Sequence, residues 1–173
     1  MQGIMFRYKS QLLMVLVCLC FLKGKCQQVD VSVTTIGTAL KVTVRQEINF
    51  GAFTQGHSGG SITILPQGTR MSSGAVVPLN FGSAYLPLIL EIEGPKGSIV
   101  SMMADQITIL TGSNGGIMKL KLRGSNPEMP FIITDDAPAK SIIKIGAELI
   151  VGNSKESPPG NYSGTINISF VVE

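Results

Sequence analysis

From Leu40 onward the chain alternates. Leu40, Val42, Val44, Ile48 and Phe50 share one parity, while Lys41, Thr43, Arg45, Glu47 and Asn49 share the other. Side chains along a β-strand point to opposite faces in turn, so this pattern predicts a strand with one dry face and one wet face. The same pattern returns in Leu86, Leu88, Leu90 and Ile92 against Glu91 and Glu93, and in Met118, Leu120 and Leu122 against Lys119, Lys121 and Arg123. It is clearest near the end. Ile143, Ile145, Ala147, Leu149 and Val151 alternate with Lys144 and Glu148, and Tyr162, Ile166, Ile168, Phe170 and Val172 alternate with Thr165, Asn167 and Ser169. Shorter apolar pieces lie at Ser61–Leu65, Ser98–Met103 and Gln106–Thr111.

Breaks fall between these runs. Gly94-Pro95-Lys96-Gly97 suits a β-turn, with proline presetting φ at the second position and glycine closing it. Gly112-Ser113-Asn114-Gly115-Gly116 and Ser157-Pro158-Pro159-Gly160 are further interruptions. Beyond the first residues no window has helical period. The expectation is an all-β domain, an Ig-like antiparallel β-sandwich of roughly 8–10 short strands. One apolar face per strand is most simply buried by packing two sheet layers together.

The N-terminal residues read differently. Arg7 and Lys9 precede an apolar run from Leu12 to Leu22, with no acidic residue before Asp30. A basic segment followed by a short apolar core is the pattern of a helical secretory signal peptide. The run is shorter than the roughly 20 residues that span a bilayer, so no transmembrane segment is expected once it is removed. Gly24 and Cys26 are small residues at alternate positions, which puts the cut after Cys26 and makes Gln27 the new N-terminus. A lipid anchor at Cys26 is the rival, but Lys25 stands where a small residue is needed. The chain therefore divides into residues 1–26 (signal peptide), 27–38 (N-terminal arm or edge strand) and 39–173 (the sandwich). The final strand is expected to close the chain with no anchor or second domain after it.

Composition changes once the leader is set apart. The sequence has 173 residues, with 14 basic and 11 acidic side chains and a net charge of +3. Arg7, Lys9, Lys23 and Lys25 all lie in the leader, leaving 10 basic against 11 acidic and a net charge of −1. The basic balance thus belongs to targeting and gives no reason to expect a nucleic-acid partner. All 3 cysteines (Cys18, Cys20 and Cys26) leave with the signal, so no disulfide is expected. The remaining 147 residues suffice for one domain with its own core.

Little in the chain suggests chemistry. His57, the one histidine, sits in Gly56-His57-Ser58-Gly59-Gly60, which reads as a flexible, solvated loop. Nothing in the sequence sets it with a serine and an orienting carboxylate as a hydrolytic triad. One histidine and no cysteine after the leader leave no zinc set. Asp135-Asp136 could contribute to calcium binding, but two aspartates ahead of Pro138 read as turn formers. The glycine clusters lack the lysine of a phosphate loop. Asn161-Tyr162-Ser163 and Asn167-Ile168-Ser169 match the glycosylation sequon but lie in a strand and its lead-in. The expectation is a non-enzyme without catalytic, metal or cofactor sites.

The arm carries more information. Val29, Val31 and Val33 alternate with Asp30, Ser32 and Thr34, but the apolar parity shifts across Ile36-Gly37-Thr38 to even positions from Leu40. A one-residue slip reverses a strand's faces, so Val29–Thr35 is read as a separate strand. It is either an arm that adds to a neighbouring subunit's sheet or an edge strand of its own domain. At the other end, Gly160, Tyr162, Gly164, Ile166, Ile168 and Phe170 form the expected closing strand. The glycines are read as supplying unusual backbone conformations. Tyr162 is read as a core ring whose hydroxyl reaches a polar partner.

Several segments together carry a resemblance. They are Asn49-Phe50-Gly51; Gly59-Gly60-Ser61-Ile62-Thr63-Ile64 with Pro66-Gln67-Gly68-Thr69-Arg70; Gly94-Pro95-Lys96-Gly97-Ser98 with Ile107-Thr108-Ile109; and Ile145-Gly146-Ala147-Glu148-Leu149-Ile150-Val151-Gly152 followed by Pro159-Gly160-Asn161-Tyr162-Ser163-Gly164-Thr165. In that order, over most of residues 40–172, the chain resembles the bacterial family catalogued as domain of unknown function 4402. Members of that family look like secreted, pilin-like Ig sandwiches. The closing Pro-Gly-x-Tyr-x-Gly-Thr pattern is also similar to spore-coat U and chaperone–usher fimbrial subunits, although this chain lacks the disulfide of many usher-type subunits. The resemblance implies an exported protein of the periplasm, outer surface or extracellular space, with no catalytic residues to transfer. The function expected is a structural or adhesive subunit, fimbria- or pilus-like, that pairs strands with itself or other surface subunits. The alternative is a monomeric extracytoplasmic module for a glycan, host or protein ligand, using loops such as His57–Gly60 and Gly112–Gly116.

Overall fold

Eleven strands and no helix make up the described chain, residues 27–36 and 40–172 of a computed structural model. In order they are β1 (Gln27–Ile36), β2 (Lys41–Gln46), β3 (Phe53–Ile64), β4 (Arg70–Pro78), β5 (Leu88–Glu93), β6 (Ile99–Ala104), β7 (Thr108–Gly112), β8 (Ile117–Asn126), β9 (Phe131–Ile132), β10 (Ser141–Val151) and β11 (Tyr162–Val172). The signal peptide expected over residues 1–26 lies outside the described residues, as do residues 37–39 and 173 of the expected arm and sandwich.

The architecture is an Ig-like β-sandwich. Hydrogen-bonded neighbours run β2-β5-β10-β8-β7-β11-β6-β9, with β1 on the free side of β11 and the β3–β4 ribbon on β10. This path folds over on itself. β1 and β2 stand at opposite ends of the connectivity yet touch, as two layers facing one another require. All pairs are antiparallel except β1 with β11, which is parallel.

The alternation read from the sequence decides what fills the space between the layers. Leu88, Leu90 and Ile92 of β5, Ile143, Ile145, Ala147, Leu149 and Val151 of β10, and Met118 and Leu120 of β8 are all buried. They meet Val100 of β6, Leu110 of β7 and Ile166, Ile168 and Phe170 of β11 in one cluster. β10 organises the first layer. From Lys144 to Val151 it pairs with β8, while its other edge is divided between β5, along Ser141–Ile145, and β3, along Ala147–Val151.

The strand count exceeds the expected range because two strands carry no alternating signal. β4 is an outer strand, exposed on both faces over Met71–Gly74, and β9 has only two residues. β3 also starts earlier than its apolar stretch, at Phe53. His57 is therefore not in a flexible loop but in a bulge of the β3–β4 ribbon, where residues 56–59 stand opposite Ala75 alone.

A second bulge sits in β8, where Ile145 pairs with Ser125 and Gly146 with Arg123, leaving Gly124 unpaired at φ 65°. Nothing crowds the position, since the nearest atom to a Cβ built there is Pro66 Cγ at 3.9 Å. The cost of replacing this glycine is thus conformational. Gly124→Ala is expected to lower stability by about 1–2 kcal/mol, and Gly124→Asn by less, because asparagine tolerates the left-handed region. Urea denaturation measures both; an unchanged alanine variant would contradict the bulge.

Candidate functional site

The closing strand β11 is laid down from Tyr162. The ring is fully buried and the hydroxyl donates to the Pro158 carbonyl at 2.6 Å. A tyrosine bonded to backbone a few residues upstream at the corner before a strand recurs in Ig sandwiches, where it fixes the angle of entry. Space for the ring comes from β7, because a Cβ on Gly112 would sit 2.8 Å from Tyr162 Cζ.

The glycines of the closing pattern act differently from the expectation. Neither Gly160 nor Gly164 has a positive φ. Gly164 is needed for close approach instead, since a Cβ there would lie 2.6 Å from the Ile109 carbonyl oxygen. Gly160 packs against Ser113, whose Oγ would be 3.0 Å from an added Cβ.

The turn ahead of β11 depends on a residue that sequence reading passed over. Ser157 is fully buried. Its Oγ donates to the Ile117 carbonyl at 2.6 Å and accepts from the Gly152 amide at 3.0 Å, while its own carbonyl accepts from Gln55 Nε2 at 2.7 Å. One serine thus ties the end of β10, the start of β8 and strand β3. Nearby, Asn114 Nδ2 donates to the Pro159 carbonyl at 2.7 Å and the Asn161 amide donates to Ser113 Oγ at 3.1 Å. The Gly112–Gly116 loop is therefore strapped to the 157–161 turn. Gly59 of the β3 bulge abuts the Val151 carbonyl, where an added Cβ would come to 2.4 Å. The two loops singled out as binding loops both pack against the 151–158 segment, Gly59 on Val151 and Gly152, and Gly116 on Glu156 and Pro158, and His57 is exposed.

On the free side of β11 lies β1. Ten residues run parallel in register, from Gln27 beside Tyr162 to Ile36 beside Val171. Val29 is buried, and Val31 and Val33 are partly buried against the core. The three valines of the arm thus share the face that completes the dry interior, while Gln28, Asp30, Ser32 and Thr34 point to water. Within the described chain, the arm occupies an edge of its own domain. Its outer side has no strand partner among the described residues.

Four strands end the sheet: β1, β2, β4 and β9. Exposed edges invite further pairing unless charge, proline, a bulge or shortness blocks them. β2 carries Lys41 and Arg45, β9 has two residues and follows Pro130, and β4 faces the four-residue bulge and ends at Pro78. β1 is ten residues long, without proline, lysine or bulge, and Asp30 is its single charge. It is the least protected edge.

Two concave regions lie elsewhere. A cleft of about 720 Å³ is lined by Leu65, Pro66, Met102, Leu122, Arg123 and Met129 among others. A hollow of about 240 Å³ is lined by Arg70, Asn80, Phe81, Ser83 and Tyr85 among others. Arg70, also unassigned by sequence reading, holds the second one together. Its Nη1 donates to the Phe50 and Ala52 carbonyls at 3.4 and 3.3 Å, and its Nη2 to the Leu79 carbonyl at 3.0 Å and Asn80 Oδ1 at 3.2 Å. Its guanidinium carbon stands 4.4 Å from the Tyr85 ring centroid. Asp136 accepts the Lys96 amide at 3.3 Å, a turn-stabilising contact. Among the described residues, no three His, Cys, Asp or Glu side chains are grouped as a metal would need, and no helix is long and apolar enough to cross a membrane.

Tyr162→Ala removes a fully buried ring and is expected to cost about 3–5 kcal/mol. Tyr162→Phe, which strands the Pro158 carbonyl, is expected to cost about 1–2 kcal/mol. Burial holds the Tyr162 hydroxyl protonated above its ordinary value of 10.0. The folded chain then binds this proton more tightly than the unfolded chain. That contribution is present below the ordinary value and lost as pH rises through the folded one. Thermal melts at rising alkaline pH should fall less steeply for Tyr162→Phe than for the parent; parallel declines would exclude the tyrosine as the source.

The model of one family, described as a domain of unknown function (DUF4402), matches residues 40–171. No curated protein and no solved structure matches the chain.

Proposed function

We propose that this chain, which belongs to the DUF4402 family, is an exported, non-catalytic surface subunit that builds a structural or adhesive fibre by β-strand pairing. The observation carrying this reading is β1. It is a strand at the N-terminal end of the described chain, bonded along one side only, and it places three valines where the core needs cover. A neighbouring copy's β1 could occupy the same register on β11 with the same side chains, so exchange would preserve every interaction. Fibres of this kind need a domain that is incomplete without its arm, and partly buried Val31 and Val33 beside buried Val29 fit that need.

The second reading is a monomeric extracytoplasmic module for a glycan or protein. Two observations favour it: the packing of both the 56–59 bulge and the Gly112–Gly116 loop on the 151–158 segment, and the exposed rings of Phe81 and Tyr85 beside Arg70.

The arm is the place to test the first reading. Burying a valine side chain fully is worth about 1.5–3 kcal/mol. Removing residues 27–36 is therefore expected to lower stability by about 3–5 kcal/mol, with recovery on adding a peptide of those ten residues in trans. Urea melts with and without the peptide measure this. Sizing and electron microscopy of native surface extracts should show multimers of the full chain. A strictly monomeric protein in those extracts, together with an arm-deleted domain as stable as the parent, would sink the fibre and leave the monomeric module.

A further inference from the structure

The charge of this domain is segregated. Strands β2, β5, β10 and β8 lie side by side and turn their apolar ranks inward, so their other ranks share one outer face. Along β8 that rank is Lys119, Lys121 and Arg123, about 7 Å apart at two residues per step. Lys144 stands on β10 next to β8, and Lys41 and Arg45 on β2. Lys140 reaches the same face, because its Nζ bonds Glu91 Oε2 at 2.7 Å.

Three acidic residues on these four strands accompany the seven cations, and two of them are ion-paired. Glu91 is held by Lys140 and by Arg45 at 3.2 Å, Glu148 is bonded by Arg123, and Glu93 lies directly across from Lys41. The contacts with Lys140 and Arg123 hold the Glu91 and Glu148 carboxyls below their ordinary value. Lys121 lies directly across from Glu148, Lys119 and Lys144 form no ion pair among the described residues, and the seven cations outnumber the three carboxylates by four. The rest of the described chain has the opposite balance, Arg70, Lys96 and Lys155 against seven acidic residues. A domain of slightly negative net charge thus presents one cationic side.

We infer that this face binds an acidic polysaccharide, with Lys119, Lys121 and Lys144 contacting its carboxylates. A rank of cations at regular spacing along a strand matches a linear polymer with regularly repeated anions, whose field adds along its length. Ile109, Ile117 and Ile142, each half-exposed on the same side, offer apolar ground for the C–H faces of sugar rings between the charges. A lipid surface fits less well. Docking in a headgroup layer draws on inserted tryptophan, phenylalanine or leucine. The outward ranks of these four strands hold no aromatic residue, and their isoleucines are shorter than the lysines around them. Single-stranded nucleic acid would want aromatic stacking platforms, equally absent from those ranks. The inference does not depend on strand exchange, because β1 lies in the other layer.

The test uses the chain from Gln27 onward and polygalacturonate as the probe, with dextran as a neutral polymer and phosphatidylglycerol vesicles as the lipid arm. The expected result is binding to polygalacturonate and not to dextran. That binding should weaken about tenfold between 50 and 200 mM salt. The triple variant Lys119→Gln, Lys121→Gln, Lys144→Gln should bind about tenfold more weakly still, the scale of several exposed ion pairs broken together. It should keep the parent's melting temperature, since none of the three is buried. Lys96→Gln with Lys155→Gln, off the face, should bind as the parent does. Three results would overturn the inference: no binding of the parent at 50 mM salt, equal loss in both variants, or binding to vesicles without binding to polygalacturonate.

Discussion

The edges of β11 govern how this sandwich closes. One edge pairs antiparallel with β7 at Tyr162–Ser163 and with β6 at Ile168–Val172, and the other runs parallel with β1 from Tyr162 to Val171. A strand shared by three partners must start at a fixed residue, because a slip of one position would turn Ile166, Ile168 and Phe170 out of the core. Tyr162 supplies that fixed start. Its ring enters a space that only a glycine at position 112 leaves open, and its hydroxyl is bonded to the turn it has just left. Ser157, buried behind it, binds that turn to β10, β8 and β3. The register of the last strand is thus set by one corner, and β1 inherits it.

How far this was legible in the sequence depended on how each residue acts. Strands with one wet and one dry face declare themselves by parity, so β5, β10 and β11 could be read within a residue or two, whereas β8 continues three residues past Arg123, beyond the bulge at Gly124 that breaks its parity. β4 could not, because an outer strand wet on both faces has nothing to alternate. The bulge around His57 looked like a loop, since glycines that let two backbones approach have the composition of glycines that let a chain wander. Val29, Val31 and Val33 were readable as a separate strand, but their pairing partner was not. Parity says which face a residue takes and nothing about the strand beside it. Ser157 and Arg70 were invisible for another reason. Both work by bonding carbonyl groups far away in sequence, and a carbonyl has no letter.

Charge shows the same limit in another form. A net charge is a sum, and the sum for residues 27–173 is close to zero. The alternation that builds the strands also sorts charges onto faces, because every outward position of β8 between Lys119 and Arg123 is basic. Sheet order then gathers β2, β10 and β8 on the same side. Segregation of this kind follows from topology, and composition averages it away. It also has a structural consequence. The carboxylates of Glu91 and Glu148 serve as internal counter-ions that keep the cationic face from repelling itself, at distances where exposed pairs contribute modestly and salt screens them.

The two halves of the proposed function meet in the arm's geometry. A β1 strand offered by a neighbour would make the same bonds to β11 as the resident one, so affinity for the groove cannot by itself favour exchange. Proximity favours the resident arm. Only residues 37–39 separate Ile36 from Leu40. A tether that short gives the arm an effective concentration at its own groove in the range of about a millimolar or more. In dilute solution a free domain therefore closes on itself, and once closed it reopens only by losing the cover that Val29, Val31 and Val33 give the core. Exchange becomes competitive when a neighbour's arm arrives before the groove is filled, as it would for chains folding side by side after export. If the proposed strand pairing holds, a closed single domain and a fibre subunit are two outcomes of one sequence. The order of folding and meeting decides between them, rather than any difference in the bonds formed.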